Sequence, residues 1–308
     1  MQIDVLTIAV VITCYSEGDL ILEAIQSVRQ QSFSANEIIL VNDCSSDPLT
    51  NSICHSVEQD DDIHIIWCST NGGPSRARNI GFRYATSEII VPLDADDLLP
   101  SDALELLANA FDRKSNPGFV YGSYLRSDLA NAKPKKIFPG DISLQKMLRS
   151  KPFSTSTNWK LLGTTPFRRS ILQSTGYYDI NFGVDSLHDV EFWIRILASD
   201  CSYTSIDSPI YIWRKYLGSN SKQVTPVAWS ELAHKHFDIY TEIGLQHRAY
   251  ELMLLGSKWS KDRISSRIYS SSLLRLLLNR KAPISALLSL IIPTNIVRPL
   301  SAFIQKWR

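Results

Sequence analysis

EIIVPLDADD, residues 88–97, joins a short apolar run rich in β-branched residues to three carboxylates within four positions. Such a run, bounded by polar residues, predicts a buried strand. Carboxylates this close repel one another and are costly unless water or a cation bridges them. Hard oxygen ligands suit Mg²⁺ or Mn²⁺, ions that keep positions open for substrate phosphates. A D-x-D pattern alone also fits a solvated turn, and both readings stand at this point.

Upstream the same rhythm repeats. Val5–Thr13 (VLTIAVVIT) reads as a strand covered on both faces. Leu20, Ile21, Ala24, Ile25 and Val28 recur at helical spacing, and Glu37–Val41 (EIILV) and Ile63–Trp67 are further strands. A helix is expected over Ser75–Ala85. Alternating strands and helices predict a parallel sheet built from βαβ units. Downstream, a helix is expected from Pro100–Ser101 through Phe111 and a strand over Phe119–Tyr124. The Lys- and Pro-rich Lys133–Pro152 reads as surface loop, Asp189–Ala198 as a short helix, and Thr225 onward as mainly helix. The expected division is a domain over 1–220, with halves 1–115 and 116–220, and a helical extension over 221–308.

A chain of 308 residues with 44% hydrophobic and 20% charged residues is neither disordered nor collagen-like. The net charge of +1 argues against an electrostatic nucleic-acid binder. It conceals an asymmetry: ten lysines and arginines against Asp262 alone give Ser257–Arg308 a charge of +9, and the rest carries −8. Five scattered cysteines without a C-x-x-C pair suggest neither a disulfide framework nor a thiolate zinc site, and fit a reducing, cytoplasmic compartment. No Lys or Arg precedes the first apolar run, so no signal peptide is expected, and no apolar run is long enough to span a bilayer.

In open α/β sheets ligands bind beyond the carboxyl ends of the strands. Polar clusters fall there after three strands: Thr13-Cys14-Tyr15, Asn42–Asp47 (NDCSSD) and Asp94–Asp97. Between the last two, Asn71–Asn79 (NGGPSRARN) reads as a glycine turn opening a helix with two arginines. That is either a plain helix start or an anion site of backbone N–H groups and guanidinium. In this order and spacing, T-x-Y, VNDCSSD, NGGPSRARNIG and LDADD resemble the family 2 inverting glycosyltransferases of GT-A fold, a Rossmann-like mixed sheet flanked by helices. The resemblance is strong over about residues 5–100 and weaker to about 215.

By that resemblance Thr13, Tyr15, Asp43 and Arg78 belong to the nucleotide pocket, and Asp94 lies near the ribose or donor sugar. Asp96 contacts a Mn²⁺ or Mg²⁺ ion held by the diphosphate, and Asp97 orients the donor sugar. Gly176-Tyr177-Tyr178-Asp179 resembles the family's G-G-F-D element, and His188–Arg195 (HDVEFWIR) its E-D-x-x-F-W-x-R, making Asp189 the candidate general base with Glu191 its competitor. Asp189 also reads as a cap of the helix it opens. The resemblance implies transfer of a sugar from a nucleotide donor, most often a UDP-sugar, to a saccharide or lipid-linked saccharide during polysaccharide or lipopolysaccharide assembly. A divalent cation stabilises the leaving diphosphate and a carboxylate takes the acceptor's proton.

The sequence departs from the family pattern at Ser16, Asn42, Cys44, where a Gly is usual, and His188, where a Glu is usual. A charged His188 would lower the pKa of Asp189. This keeps a degenerate, nucleotide-binding scaffold as an alternative. A sugar nucleotidyltransferase is disfavoured, because Val10–Gly18 (VVITCYSEG) lacks a G-x-G-x-R phosphate loop. The apolar Ser272–Leu278 and Ala282–Ile292, flanked by Arg275, Arg280, Lys281, Arg298, Lys306 and Arg308, suit peripheral docking on an anionic membrane surface. They equally suit packing on the catalytic domain or a dimer interface.

Overall fold

The computed structural model describes residues 6–128, 133–149, 159–182, 187–215 and 224–294. In chain order the elements are β1 (Ile8–Cys14), α1 (Leu20–Arg29), β2 (Glu37–Asn42), α2 (Pro48–Val57), β3 (Ile63–Trp67), α3 (Gly73–Tyr84), β4 (Ile89–Asp94) and α4 (Ala103–Phe111). There follow β5 (Phe119–Asp128), β6 (Lys135–Ile137), α5 (Leu144–Leu148), β7 (Phe167–Arg168), α6 (Ile171–Thr175), α7 (His188–Ala198) and β8 (Tyr203–Lys215). The last elements among the described residues are α8 (Pro226–Lys235), α9 (Phe237–Glu242), α10 (Gln246–Trp259), α11 (Arg263–Leu278) and α12 (Leu287–Ile291).

Contacts divide the chain into two compact units. A sheet unit holds residues 1–140, 161–180 and 195–220, and a helical unit holds 141–160, 181–194 and 221–308. Beyond the expected 221–308 segment, the helical unit therefore takes in two stretches of the region read as one domain.

In the sheet unit the strand order is β3-β2-β1-β4-β7-β5-β6, with β8 beside β5. The pairs β1–β2, β1–β4, β2–β3 and β5–β8 are parallel, whereas β7 and β6 run antiparallel to their neighbours. The four expected strands of the first hundred residues are present. Their near-continuous apolar sequence matches burial on both faces, with Ile8, Val10, Ile12, Leu40, Val91 and Leu93 in a core shared with α1, α2 and α4. On the other face α3 lies close. A Cβ on Gly81 would stand 2.3 Å from a Val11 methyl, so this glycine sets how near the helix approaches.

Two regions differ from the sequence reading. Lys133–Pro152 contains β6 and α5 within its described part instead of being loop throughout. β8 went unread because its polar Ser205-Ile-Asp-Ser-Pro209 and a register shift opposite Gly122–Tyr124 break the period-two pattern.

In the helical unit α8 opens where expected, with Thr225 Oγ1 accepting from the Ala228 N–H at 3.3 Å. Lys258, near the end of α10, donates to the carbonyls of Ser289, Leu290 and Ile292 at 2.6–3.0 Å and so caps the last turn of α12.

Candidate active site

Register gathers the polar clusters. Thr13 of β1 pairs with Val41 of β2 and with Asp94 of β4, and Asn42 pairs with Trp67. The loops after β1, β2, β3 and β4 therefore leave the sheet along one edge, as expected for a nucleotide-binding α/β sheet.

The three carboxylates after β4 have different surroundings. Asp94 is 35% exposed and accepts from Arg78 Nη2 at 2.6 Å, the guanidinium being buried on the inner face of α3. Asp96 is half-buried. Asp97 is 3% exposed and faces β8: Tyr211 Oη donates to it at 2.6 Å and the Arg214 N–H at 2.7 Å. Burial, with Asp94 and Asp96 beside it, pushes its carboxyl up to about 8. Both oxygens of Asp97, the residue expected to orient the donor sugar, thus accept hydrogen bonds from within the protein. Arg214 ties the cluster further, donating to the Asp96 carbonyl and to Glu23 of α1.

Asp43 is also turned inward, accepting the N–H groups of Gly72 at 2.9 Å and Gly73 at 2.7 Å. The amides read as an anion site are therefore held by this carboxylate, which burial nonetheless raises above its ordinary range. Of the two arginines, Arg78 points in and Arg76 points out to Thr70 Oγ1 at 2.9 Å. Thr13 and Tyr15 are half-buried at the same sheet edge. The Tyr15 and Ser16 N–H groups both donate to Glu17, whose carboxyl burial raises, Asp94 adding to the effect.

α3 also anchors the G-Y-Y-D element. Asn79, buried, donates to the Tyr178 carbonyl at 2.8 Å and accepts its N–H at 2.9 Å. Arg83 lies over the Tyr177 ring at 4.3 Å, and Arg195 donates to the carbonyls of Thr175 and Tyr177.

In the helical unit, α7 separates the two candidate bases. Glu191 is fully buried, with Lys235 Nζ at 2.8 Å and His236 Nε2 at 3.3 Å. Asp189 is half-buried in the first turn, where Oδ1 accepts the N–H of Val190 at 2.8 Å. The internal ion pair thus belongs to Glu191 and the accessible carboxylate is Asp189.

Glu17, Tyr211, Arg214 and Glu23 were not found by sequence reasoning. The available signal was a charged residue inside an apolar strand, Arg214 in Ile210–Lys215 (IYIWRK), because a buried cation requires partners.

Among the described residues no three His, Cys, Asp or Glu side chains converge on one point. Asp94 and Asp96 nevertheless supply hard oxygen donors at a partly open edge. One or two protein carboxylates, with phosphate and water completing the shell, suit Mg²⁺ or Mn²⁺.

A mostly parallel sheet with an arginine-paired carboxylate and an acidic cluster along its carboxyl edge puts a candidate ligand site where open α/β proteins bind theirs. Residues 9–176, more than half of the chain, match Glycosyl transferase family 2, and the chain belongs to that family. It is 23% identical over 233 residues to glycosyltransferase GlyG of Streptococcus pneumoniae, covering 72% of this chain and 75% of that protein. It is 26% identical over 179 residues to poly-beta-1,6-N-acetyl-D-glucosamine synthase of Staphylococcus epidermidis, 56% of this chain and 42% of the synthase. The chain spans between 13% and 75% of the length of these and other curated relatives. The fold is shared with S. aureus TarS 1–349 in complex with UDP-GlcNAc, with a TM-score of 0.61 and 18% identity over 80% of this chain and 72% of that one. It is also shared with the mannosyltransferase PcManGT of Pyrobaculum calidifontis in complex with GDP-Man and Mn²⁺, with a TM-score of 0.53 and 19% identity over 96% and 84%. These likenesses bear out the GT-A fold.

Proposed function

We propose that the protein is an inverting, divalent-metal-assisted transferase that moves a sugar from a nucleotide donor, a UDP-sugar first among them, to a saccharide or lipid-linked saccharide hydroxyl in polysaccharide or lipopolysaccharide assembly. The observation that carries this reading is the sheet edge, where Asp94, paired with Arg78, and Asp96 remain partly exposed while Asp43 and Asp97 accept hydrogen bonds from within the protein. The named ligands of the TarS and PcManGT complexes support a nucleotide-sugar donor and a metal, and the synthase supports a polysaccharide setting. Five free cysteines support a reducing, cytoplasmic setting.

In this reading Thr13, Tyr15 and Asp43 shape the nucleotide pocket. Arg78 offsets the charge of Asp94 and holds it toward the ribose or sugar. Asp96 is the metal's protein ligand. A bound Mg²⁺ or Mn²⁺ supplies Lewis-acid stabilisation to the departing diphosphate. Asp97 acts one step removed, fixing Arg214 and the loop that presents Asp96. Asp189 takes the proton of the acceptor hydroxyl as the oxygen attacks the anomeric carbon, with inversion.

Calorimetric titration with UDP, GDP and dTDP, with and without Mn²⁺, tests the donor site. One nucleotide binding in a metal-dependent manner, with the metal dependence lost in Asp96→Ala, is the expected result. A folded protein that binds none of them would overturn the reading in favour of a degenerate scaffold.

A further inference from the structure

The helical unit carries an exposed apolar face that no part of the proposed chemistry uses. On α11 the buried side is formed by Leu273, with Tyr269 and Leu277 partly covered, packed with Leu254 of α10 and Ala286. The opposite side presents Ile264, Arg267, Ile268, Ser271, Leu274, Arg275 and Leu278, one stripe at i, i+3, i+4, i+7 spacing, about 21 Å long. Ile264 is 75% exposed and Leu278 76%. On the following turn and α12, Ile284, 81% exposed, Leu287 and Ile291 are exposed as well. Half of the large hydrophobic side chains exposed among the described residues lie in this one segment, so it is not the ordinary scatter of surface leucines.

Charge selects the occupant. Residues 263–294 hold Arg263, Arg267, Arg275, Arg280 and Lys281 and no acid. A second copy set on this face would bring five cations against five. The chain's own residues 295–308 add Arg298, Lys306 and Arg308, again without an acid, and cannot neutralise it. Cations threaded between protruding isoleucines and leucines on a helix face match an anionic lipid surface, where the apolar side chains enter the acyl boundary and the guanidinium groups remain among the headgroups. Among the described residues no helix is long and apolar enough to cross a membrane.

We infer that the α11–α12 face docks the protein on an anionic lipid bilayer, lying in the interface. The inference is independent of the transferase reading, because vesicle binding and nucleotide binding report on different units. The test is co-sedimentation of the full chain with phosphatidylcholine vesicles and with phosphatidylcholine–phosphatidylglycerol vesicles, at low and high salt. Binding to the mixed vesicles alone, weakened by salt, is expected. Arg267→Glu with Arg275→Glu should lower the partition coefficient at least 25-fold, from roughly fivefold per cation. Ile264→Ser with Ile268→Ser and Leu278→Ser should abolish binding, while circular dichroism and UDP binding stay unchanged. These side chains are exposed, and two independent variant sets guard against a folding failure. Equal binding to both vesicle types, persistence of binding in the serine variant, or no binding to either would overturn the inference. So would a concentration-dependent dimer, lost in Ile268→Ser, that has no affinity for vesicles.

Discussion

Asn79 and Tyr178 exchange two hydrogen bonds across 99 positions of chain, the side-chain amide of one pairing with the backbone N–H and carbonyl of the other. The helix that sends Arg78 to Asp94 therefore also fixes the backbone of the G-Y-Y-D element. Asn79→Ala leaves both buried backbone groups of Tyr178 unsatisfied and should cost about 2–3 kcal/mol. Urea unfolding measures it. Arg83→Ala, which removes only the cation over Tyr177, should cost under ~1 kcal/mol, and equal losses in the two variants would contradict the assignment.

The two acids of α7 should separate in a paired experiment. Glu191→Gln uncouples a buried carboxylate from Lys235 and His236 and should destabilise the fold by about 3 kcal/mol. Asp189→Asn changes a half-buried side chain whose one described bond is to the adjacent N–H, so it should leave the melting temperature nearly unchanged while abolishing sugar transfer. Asp189→Asn protein that retains full transfer activity would refute its role as base.

Cys44 stands at a positive φ of 55°, a conformation that disfavours a Cβ, at the position where the family pattern has Gly. Cys44→Gly should therefore stabilise the protein by about 1 kcal/mol despite the added freedom of the unfolded chain, and Cys44→Val should destabilise it. Thermal unfolding of the two variants decides the sign.

Asp97 makes its contribution as a hydrogen-bond acceptor in a buried site that favours its neutral form near pH 7, with the carboxyl raised to about 8. Asp97→Asn retains the size and one acceptor and should cost less than about 1 kcal/mol, whereas Asp97→Ala strands Tyr211 and the Arg214 N–H and should cost about 2–3 kcal/mol. UDP affinity should fall in the alanine variant and be largely kept in the asparagine one. A loss of affinity in both would instead place the carboxylate charge in contact with the donor.

Much of the sheet was legible because burial on both faces demands continuous apolar runs, and β1, β2, β3 and β4 carry them. The order of the polar clusters then disclosed the edge of the sheet where Asp94 and Asp96 stand. Those residues are local: a strand end and the turn after it are specified by neighbours in sequence. What the sequence did not display was direction. Three adjacent carboxylates look alike on paper, yet packing against β8 turns Asp97 inward and leaves Asp96 half-exposed. Asp189 and Glu191, two positions apart, likewise differ only because Lys235 and His236 arrive from α8 and the turn after it to pair with Glu191. The sequence by itself determined the family, the strands of the first half and the residue types available for catalysis. Tertiary structure alone decided which carboxylates face solvent and which are consumed as internal ligands, because that choice depends on partners brought from over 100 residues away to Asp97, and from some 45 residues away to Glu191.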